Sequence, residues 1–184
     1  MEAIRKIEIN KTAKIILLAI LGSLLLTISA KIKIPFYPVP MTMQTFVVLF
    51  IGVTLGAKIG MLTVSLYLLE GIFGLPVFAG TPEKGIGLIY FTGPTMGYLI
   101  GFILAIYVSG FFKYDKRVLI NFLKLVFSVS FIYILGLLWL GNLIGWEKPI
   151  FKLGAQPFLL AELFKILLLS FLIPYFLRIK KLLR

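Results

Sequence analysis

The chain of 184 residues contains no cysteine and no histidine. Their absence excludes disulfide bonds, thiolate nucleophiles, histidine general bases and the common zinc sites built from nitrogen and sulfur ligands. Acidic residues are also scarce, with 7 Asp and Glu against 19 Lys and Arg. Any chemistry must therefore use carboxylates, lysines, hydroxyls or amides, and we expect neither a metal site nor a cofactor.

Apolar residues dominate the composition. They make up 60% of the chain, only 14% of residues are charged, and the mean hydropathy is +1.07, which is outside the range of soluble globular proteins. The formal charge of +12 comes from short basic clusters between apolar segments and not from one amphipathic face. Membrane topology explains these clusters better than a nucleic-acid partner does, so we expect an integral membrane protein with the lipid bilayer as its surroundings.

Six apolar runs are long enough to cross a membrane. They lie at roughly 12–30, 40–57, 59–75, 91–112, 118–140 and 157–177. Only the stretch GAKIG (56–60) joins the second run to the third, which predicts a tight antiparallel turn and a short or tilted second span. The predicted fold is therefore all-α, a single transmembrane domain over 1–184 built as a six-helix bundle.

The distribution of basic residues predicts the orientation. With six spans, 12 Lys and Arg lie on the side of the termini and 5 on the opposite side. The positive-inside rule then predicts a multi-pass protein of the cell membrane with both termini in the cytoplasm. The basic start and the apolar stretch 15–28 also have features of a cleaved signal peptide, but SAK is a poor cleavage site.

A charge at the bilayer centre costs roughly 2.5–3.5 kcal/mol, so a polar side chain inside a span needs an explanation. The candidates are Gln44, Glu70, Glu162 and Lys165. On the predicted topology all four lie within about two turns of the external face. Glu162 and Lys165 are three residues apart and share a helical face. The pair either neutralises itself and tethers a helix, or forms a site where Lys165 attracts an acidic ligand and Glu162 accepts N–H donors.

Small residues recur at four-residue spacing in two spans. Gly93, Gly97, Gly101, Ala105 and Ser109 form one stripe on the fourth span, which predicts close approach of a neighbouring helix. A weaker stripe, Ala19, Ser23 and Thr27, lies on the first span. The first-span stripe is compatible with internal packing and equally with an outward face that receives a partner protein.

No nucleotide-binding loop is recognisable. GVTLGAK (52–58) has the wrong spacing for a P-loop, lacks a Ser or Thr after the lysine, and lies between two spans. We therefore expect a protein that is not itself an ATPase and not an enzyme.

Four stretches carry a family resemblance: PVPMTMQTF (38–46), GLPVFAG (74–80), TGPTMGYLIGF (92–102) and LLAELFKILL (159–168). In this order and spacing they resemble the signature stretches of the BioY family, the biotin-binding S components of energy-coupling factor (ECF) vitamin transporters. The resemblance extends from the first span to the sixth. Its most specific element is the pattern P-x-P-x-T-x-Q at the start of a span.

The resemblance implies a function, a site and partners. It implies biotin binding near the external side, and assembly with a transmembrane coupling protein and two cytoplasmic ATPases that hydrolyse ATP. The family's acid-x-x-lysine motif falls on Glu162 and Lys165, and its docking motif for the coupling protein best matches Ala19 and Ser23. We expect biotin to contact Lys165, Glu162, Gln44, Thr42, Phe78, Tyr90, Tyr98 and Thr95.

The chain departs from the family pattern in two places. Met96 replaces a glycine, and Leu99 stands where some members carry arginine, so the resemblance implies no second cation there. Biotin has a carboxylate that needs a cation, a ureido ring with two N–H donors, and an apolar thioether ring. Lys165 either binds that carboxylate or neutralises Glu162 while the carboxylate lies near Lys84.

Three other functions remain open. The same architecture serves other vitamins, so the ligand could be one of them. An intramembrane enzyme could use Glu70 and Glu162 as paired acid and base or as metal ligands, although the lack of histidine and cysteine argues against it. A channel is disfavoured because the polar residues cluster at one end of the spans.

Overall fold

The computed structural model describes residues 2–35, 37–83 and 85–182, with side chains from 11 to 177 within those ranges. Six α-helices follow one another: α1 (Glu2–Lys31), α2 (Gln44–Ile72), α3 (Met96–Phe111), α4 (Val118–Ile144), α5 (Ile150–Gly154) and α6 (Leu159–Leu182). Short strands β1 (Lys33–Ile34) and β2 (Met41–Thr42) pair antiparallel, and 3-10 helices cover Gly87–Thr92 and Gln156–Phe158.

Helix α2 consists of two segments that fold back on each other. Gly56 has φ 79° and ψ 172°, which are not helical and which suit glycine. Gln44 Nε2 donates a hydrogen bond to the Tyr67 hydroxyl at 2.7 Å, whereas residues with that separation in a straight helix would lie about 34 Å apart. The predicted tight turn at GAKIG is therefore confirmed. We call the two segments α2a (44–55) and α2b (57–72).

The described part of the chain is mostly helical and contains four helical stretches long and apolar enough to cross a membrane. They are Lys11–Lys31, Gln44–Ile72, Val118–Ile144 and Ile150–Leu177, and Met96–Phe111 is a shorter apolar helix. This agrees with an all-α membrane protein.

Two helices begin later than the spans predicted for them. The fourth predicted span covers 91–112 and α3 begins at Met96, because Gly93 is extended and Pro94 disfavours a helical residue before it. The second predicted span covers 40–57 and α2 begins at Gln44, because Met41–Thr42 pairs as a strand with Lys33–Ile34 in the loop after α1, which we call the first loop.

The small-residue stripe of α3 packs against α4. A Cβ at Gly97 would overlap the Leu135 carbonyl and Trp139, and one at Gly101 would lie 2.5 Å from the Cα of Ile132. These contacts confirm that a neighbouring helix comes close along the stripe.

The small-residue stripe of α1 also faces inward. Ala19 and Ser23 are 2% and 1% exposed, and the Ser23 hydroxyl donates a hydrogen bond to Glu70 on α2b. A Cβ at Gly22, between them, would lie 2.6 Å from Thr63 Cγ2. The two residues therefore do not form the exposed docking face expected of them in this structure. The outward face of α1 instead carries large apolar side chains, Ile16, Leu17, Ile20, Leu21, Leu24 and Ile28.

We expect Gly101→Ala to destabilise the protein by about 1–3 kcal/mol, because the added methyl meets α4 backbone that has no room to move. Thermal unfolding in detergent measures the effect. Leu104→Ala, at a partly exposed position of the same helix, is the control. Equal stability of Gly101→Ala and the wild type would contradict the close α3 and α4 packing.

Candidate ligand-binding site

One cavity lies at the end of the bundle where the first loop meets α2a, α3, α4 and α6. The space there that protein atoms leave empty, including its opening, is about 590 Å³. The structure brings all eight sequence-predicted site residues together in its wall: Lys165, Glu162, Gln44, Thr42, Phe78, Tyr90, Tyr98 and Thr95. These residues come from distant parts of the chain, so the fold assembles the cavity.

Lys165 and Glu162 form a buried ion pair in this wall. The two side chains are 8% and 3% exposed as residues, and Lys165 Nζ lies 2.9 Å from Glu162 Oε2. Lys165 Nζ also donates to the Thr42 carbonyl at 3.1 Å and to Thr45 Oγ1 at 2.6 Å. Since an ammonium group has three N–H donors, each of them already has an acceptor.

The two carboxylate oxygens of Glu162 have different surroundings. Oε2 accepts hydrogen bonds from Thr45 Oγ1 at 2.9 Å, from the Tyr133 hydroxyl at 3.1 Å and from Lys165. Oε1 is buried and has no hydrogen-bond partner in the described part of the chain. A buried acceptor without a donor is costly, so the arrangement favours a ligand that brings an N–H or O–H group to Oε1.

Gln44 joins α2a to α2b and to the loop that follows. Its Nε2 donates to the Tyr67 hydroxyl, and that hydroxyl donates to the Val77 carbonyl at 3.1 Å. Its Oε1 accepts from Thr42 Oγ1 at 3.2 Å. Gln44 is therefore a buried connecting residue and not a side chain that extends towards the membrane surface.

The loop after α2b covers the cavity. Phe78 is buried and stacks on Tyr90, with ring centroids 4.7 Å apart. Lys31 Nζ donates to the Phe78 carbonyl at 2.9 Å, and Lys33 Nζ donates to the Ala79 carbonyl at 2.9 Å. Lys31 at the end of α1 and Lys33 in β1 thus hold the backbone of this covering loop.

Tyr98, Thr95 and Leu99 complete the wall on the side of α3. The Tyr98 hydroxyl donates to the Gly154 carbonyl at 2.7 Å, so its ring faces the cavity with its polar end satisfied. Leu99 also lines the cavity and makes this part of the wall apolar.

Sequence reasoning missed Tyr133 and Thr45 as partners of the ion pair. A tyrosine inside an apolar span, such as Tyr133, indicates a polar contact inside the bundle, because its buried hydroxyl needs a hydrogen-bond partner. Thr45 stands directly after Gln44 in the motif that drew attention to the second span. Lys84, the alternative contact for a ligand carboxylate, lies outside the described residues.

The structure argues against the enzyme with paired carboxylates. Glu70 accepts a hydrogen bond from Ser23 and does not line the cavity. Glu162 accepts hydrogen bonds from Thr45 and Tyr133 and pairs with Lys165, so the two carboxylates do not face one site. Among the described residues no group of three or more His, Cys, Asp or Glu side chains is arranged to hold a metal ion.

Fold and site together define a class: a helical membrane protein with a cavity that is apolar apart from a buried ion pair and a few hydroxyls and amides. The comparisons with known proteins identify the family within that class. The sequence matches the BioY family over residues 3–182, and the chain belongs to that family.

Related proteins agree with this assignment. The biotin transporter BioY of Thermotoga maritima is 38% identical over 159 residues, which cover 86% of this chain and 90% of the relative. The probable biotin transporter BioY of Pyrococcus horikoshii is 35% identical over 153 residues, covering 83% and 90%. The crystal structure of the S component for biotin from an ECF-type ABC transporter matches with a TM-score of 0.71 at 26% identity, over 94% of this chain and 93% of that one.

We expect Lys165→Met to destabilise the protein by about 3–5 kcal/mol, because it leaves the Glu162 carboxylate buried without its cation. The double variant Glu162→Gln, Lys165→Met removes both charges and should regain most of that loss. Thermal unfolding in detergent measures both. A double variant no more stable than Lys165→Met alone would contradict the pairing.

Proposed function

We propose that this protein is the biotin-binding membrane subunit of an ECF-type vitamin transporter. It captures biotin at the external face and delivers it inward together with a transmembrane coupling protein and two cytoplasmic ATPases. The observation that carries the proposal is the buried Glu162 carboxylate, whose Oε1 has no hydrogen-bond partner among the described residues, inside a cavity lined by the eight expected residues. Family membership and the related biotin transporters support it.

The hydrogen bonds around the ion pair favour one orientation of biotin. The ureido N–H groups of biotin are donors that suit Glu162 Oε1. The three donors of Lys165 are committed to Thr42, Thr45 and Glu162. A ligand carboxylate beside Oε1 would be repelled by it, and this repulsion is strong in a low-dielectric interior. The ureido ring therefore lies inward at Glu162, and the carboxylate lies towards the mouth.

The remaining walls suit the apolar part of biotin. Phe78, Tyr90 and Phe102 present rings, and Ile132 presents a branched aliphatic side chain. These side chains can enclose the thioether ring and the aliphatic chain without leaving polar groups unpaired. A polar inner end followed by apolar walls suits biotin, whose ureido ring is polar and whose thioether ring and aliphatic chain are apolar, with the carboxylate at the mouth.

We further propose six membrane crossings, made by α1, α2a, α2b, α3, α4 and α6. Segment α2a rises only about 18 Å, so residues 40–43, which include β2, complete the path to the external face. The cavity end carries Lys31, Lys33, Lys148 and Lys152, and the opposite end carries the larger share of basic residues, which supports termini in the cytoplasm.

The outward face of α1 is our proposed contact for the coupling protein. It is a continuous row of large apolar side chains that no other described segment covers, including Ile16, Ile20 and Leu24. Lipid would also accept such a face, so we compare how much coupling protein co-purifies with Ile20→Glu and with the wild type. Less coupling protein with the variant indicates a contact with the partner, and an equal amount indicates a contact with lipid.

Isothermal titration of the purified protein with biotin and with thiamine tests the function. We expect biotin to bind and thiamine not to bind. The folded double variant Glu162→Gln, Lys165→Met should lose at least tenfold in biotin affinity, because a neutral amide replaces the charged acceptor and the cation that holds it is removed. Glu147→Gln, at an exposed position outside the cavity, is the matched control.

The two failures have different meanings. A wild-type protein that binds thiamine and not biotin would refute the proposed ligand. A double variant that binds biotin as tightly as the wild type would refute the site while leaving the ligand unchanged.

Labelling with a membrane-impermeant thiol reagent tests the orientation. Because the chain has no cysteine, single substitutions report one position each. Lys148→Cys should react in intact cells, whereas Lys116→Cys should react only after permeabilisation; both lysines are exposed. The reverse pattern would place the cavity on the cytoplasmic side and contradict uptake.

A further inference from the structure

A second cavity adjoins the mouth of the binding cavity. Its wall includes Tyr37 and Pro38 of the first loop, Tyr90, Thr95, and Leu143 and Ile144 at the end of α4. The space that protein atoms leave empty, including the opening, is about 740 Å³ there and about 590 Å³ in the inner cavity. The outer cavity therefore has room for a further group.

The two cavities share part of their walls. Tyr90 and Thr95 line both of them. The first loop also borders both, since Pro38 lines the outer cavity and the next residue, Val39, lines the inner one. The outer cavity is therefore the neighbouring space for a ligand that extends past Tyr90 and Thr95.

The charges of the two walls cancel or are absent. Among the described residues, the charged side chains of the inner wall are Glu162 and Lys165, which neutralise each other, and the outer wall contains none. Lys31 and Lys33 near the cover donate to backbone carbonyls. The wall around the outward end of a ligand therefore presents apolar and neutral polar groups, which suit an uncharged substituent as well as a carboxylate.

We propose that the outer cavity is a subsite for a group attached to the carboxyl end of the ligand. Its ligand class is the secondary amides of biotin that carry a short neutral alkyl or aryl group. The Tyr37 ring, Pro38, Leu143 and Ile144 form the apolar contact for that group. This inference rests on the proposed function and on the orientation with the ureido ring inward.

Titration of the wild-type protein with biotin and with biotin N-butylamide is the test. We expect the amide to bind within about threefold of biotin. Binding of biotin together with at least tenfold weaker binding of the amide would overturn the outer subsite and leave the proposed function standing. If neither ligand binds, the proposed function fails as well. If Lys84→Ala weakens biotin binding at least tenfold, a cation recognises the carboxylate and the inference is wrong.

A cavity-filling variant locates the subsite. Leu143→Trp fills the outer cavity and should weaken the amide at least tenfold while changing biotin affinity less than twofold. Leu138→Trp, at a similarly exposed position of α4 outside the cavity, should change neither. Equal loss for both ligands in Leu143→Trp, or no loss for the amide, would contradict the assignment. A series of methyl, butyl and benzyl amides with the wild type gives the same test without a variant: affinity should not fall from methyl to butyl.

Discussion

The ion pair between Glu162 and Lys165 constrains the rest of the structure. Two charges inside an apolar bundle are tolerated only if their hydrogen-bonding groups are satisfied, because desolvation is expensive. Lys165 needs the Thr42 carbonyl and Thr45, and Glu162 needs Thr45 and Tyr133. The first loop, α2a, α4 and α6 must therefore meet at one point. Among the described residues Glu162 Oε1 is left without a donor, and our proposal that the cavity binds a ligand rests on this oxygen.

The surrounding fold brings these elements into register. The turn at Gly56 returns α2b beside α2a, and the hydrogen bond from Gln44 to Tyr67 fixes the position of one segment along the axis of the other. Close contact at Gly101 brings α3 against α4, so that Tyr98 and Tyr133 face the same cavity. The cover over the cavity is held by side chains that bind its backbone carbonyls, which leaves Phe78 free to pack on the aromatic wall.

Much of this arrangement was predictable from the sequence. Apolar length predicted the helices, and the resemblance predicted the eight residues that line one cavity. Helical spacing also predicted that Glu162 and Lys165 share a face. The partners of the pair were not predictable, because spacing within one helix says nothing about which helix lies opposite, and Tyr133 is about 30 residues away. The stripe of Ala19 and Ser23 could not be assigned from the sequence for the same reason: small residues permit close packing equally inside a bundle or against another protein.

The central claim is that Glu162 Oε1 accepts an N–H group of the ligand. The most direct measurement compares the affinity of the wild-type protein for biotin with that for biotin methylated on each ureido nitrogen. Loss of a buried hydrogen bond costs about 1–3 kcal/mol, so at least one N-methyl isomer should bind about 5 to 150 times more weakly. Biotin methyl ester carries the same added methyl at the other end and should lose much less. Full affinity for both N-methyl isomers would contradict the account.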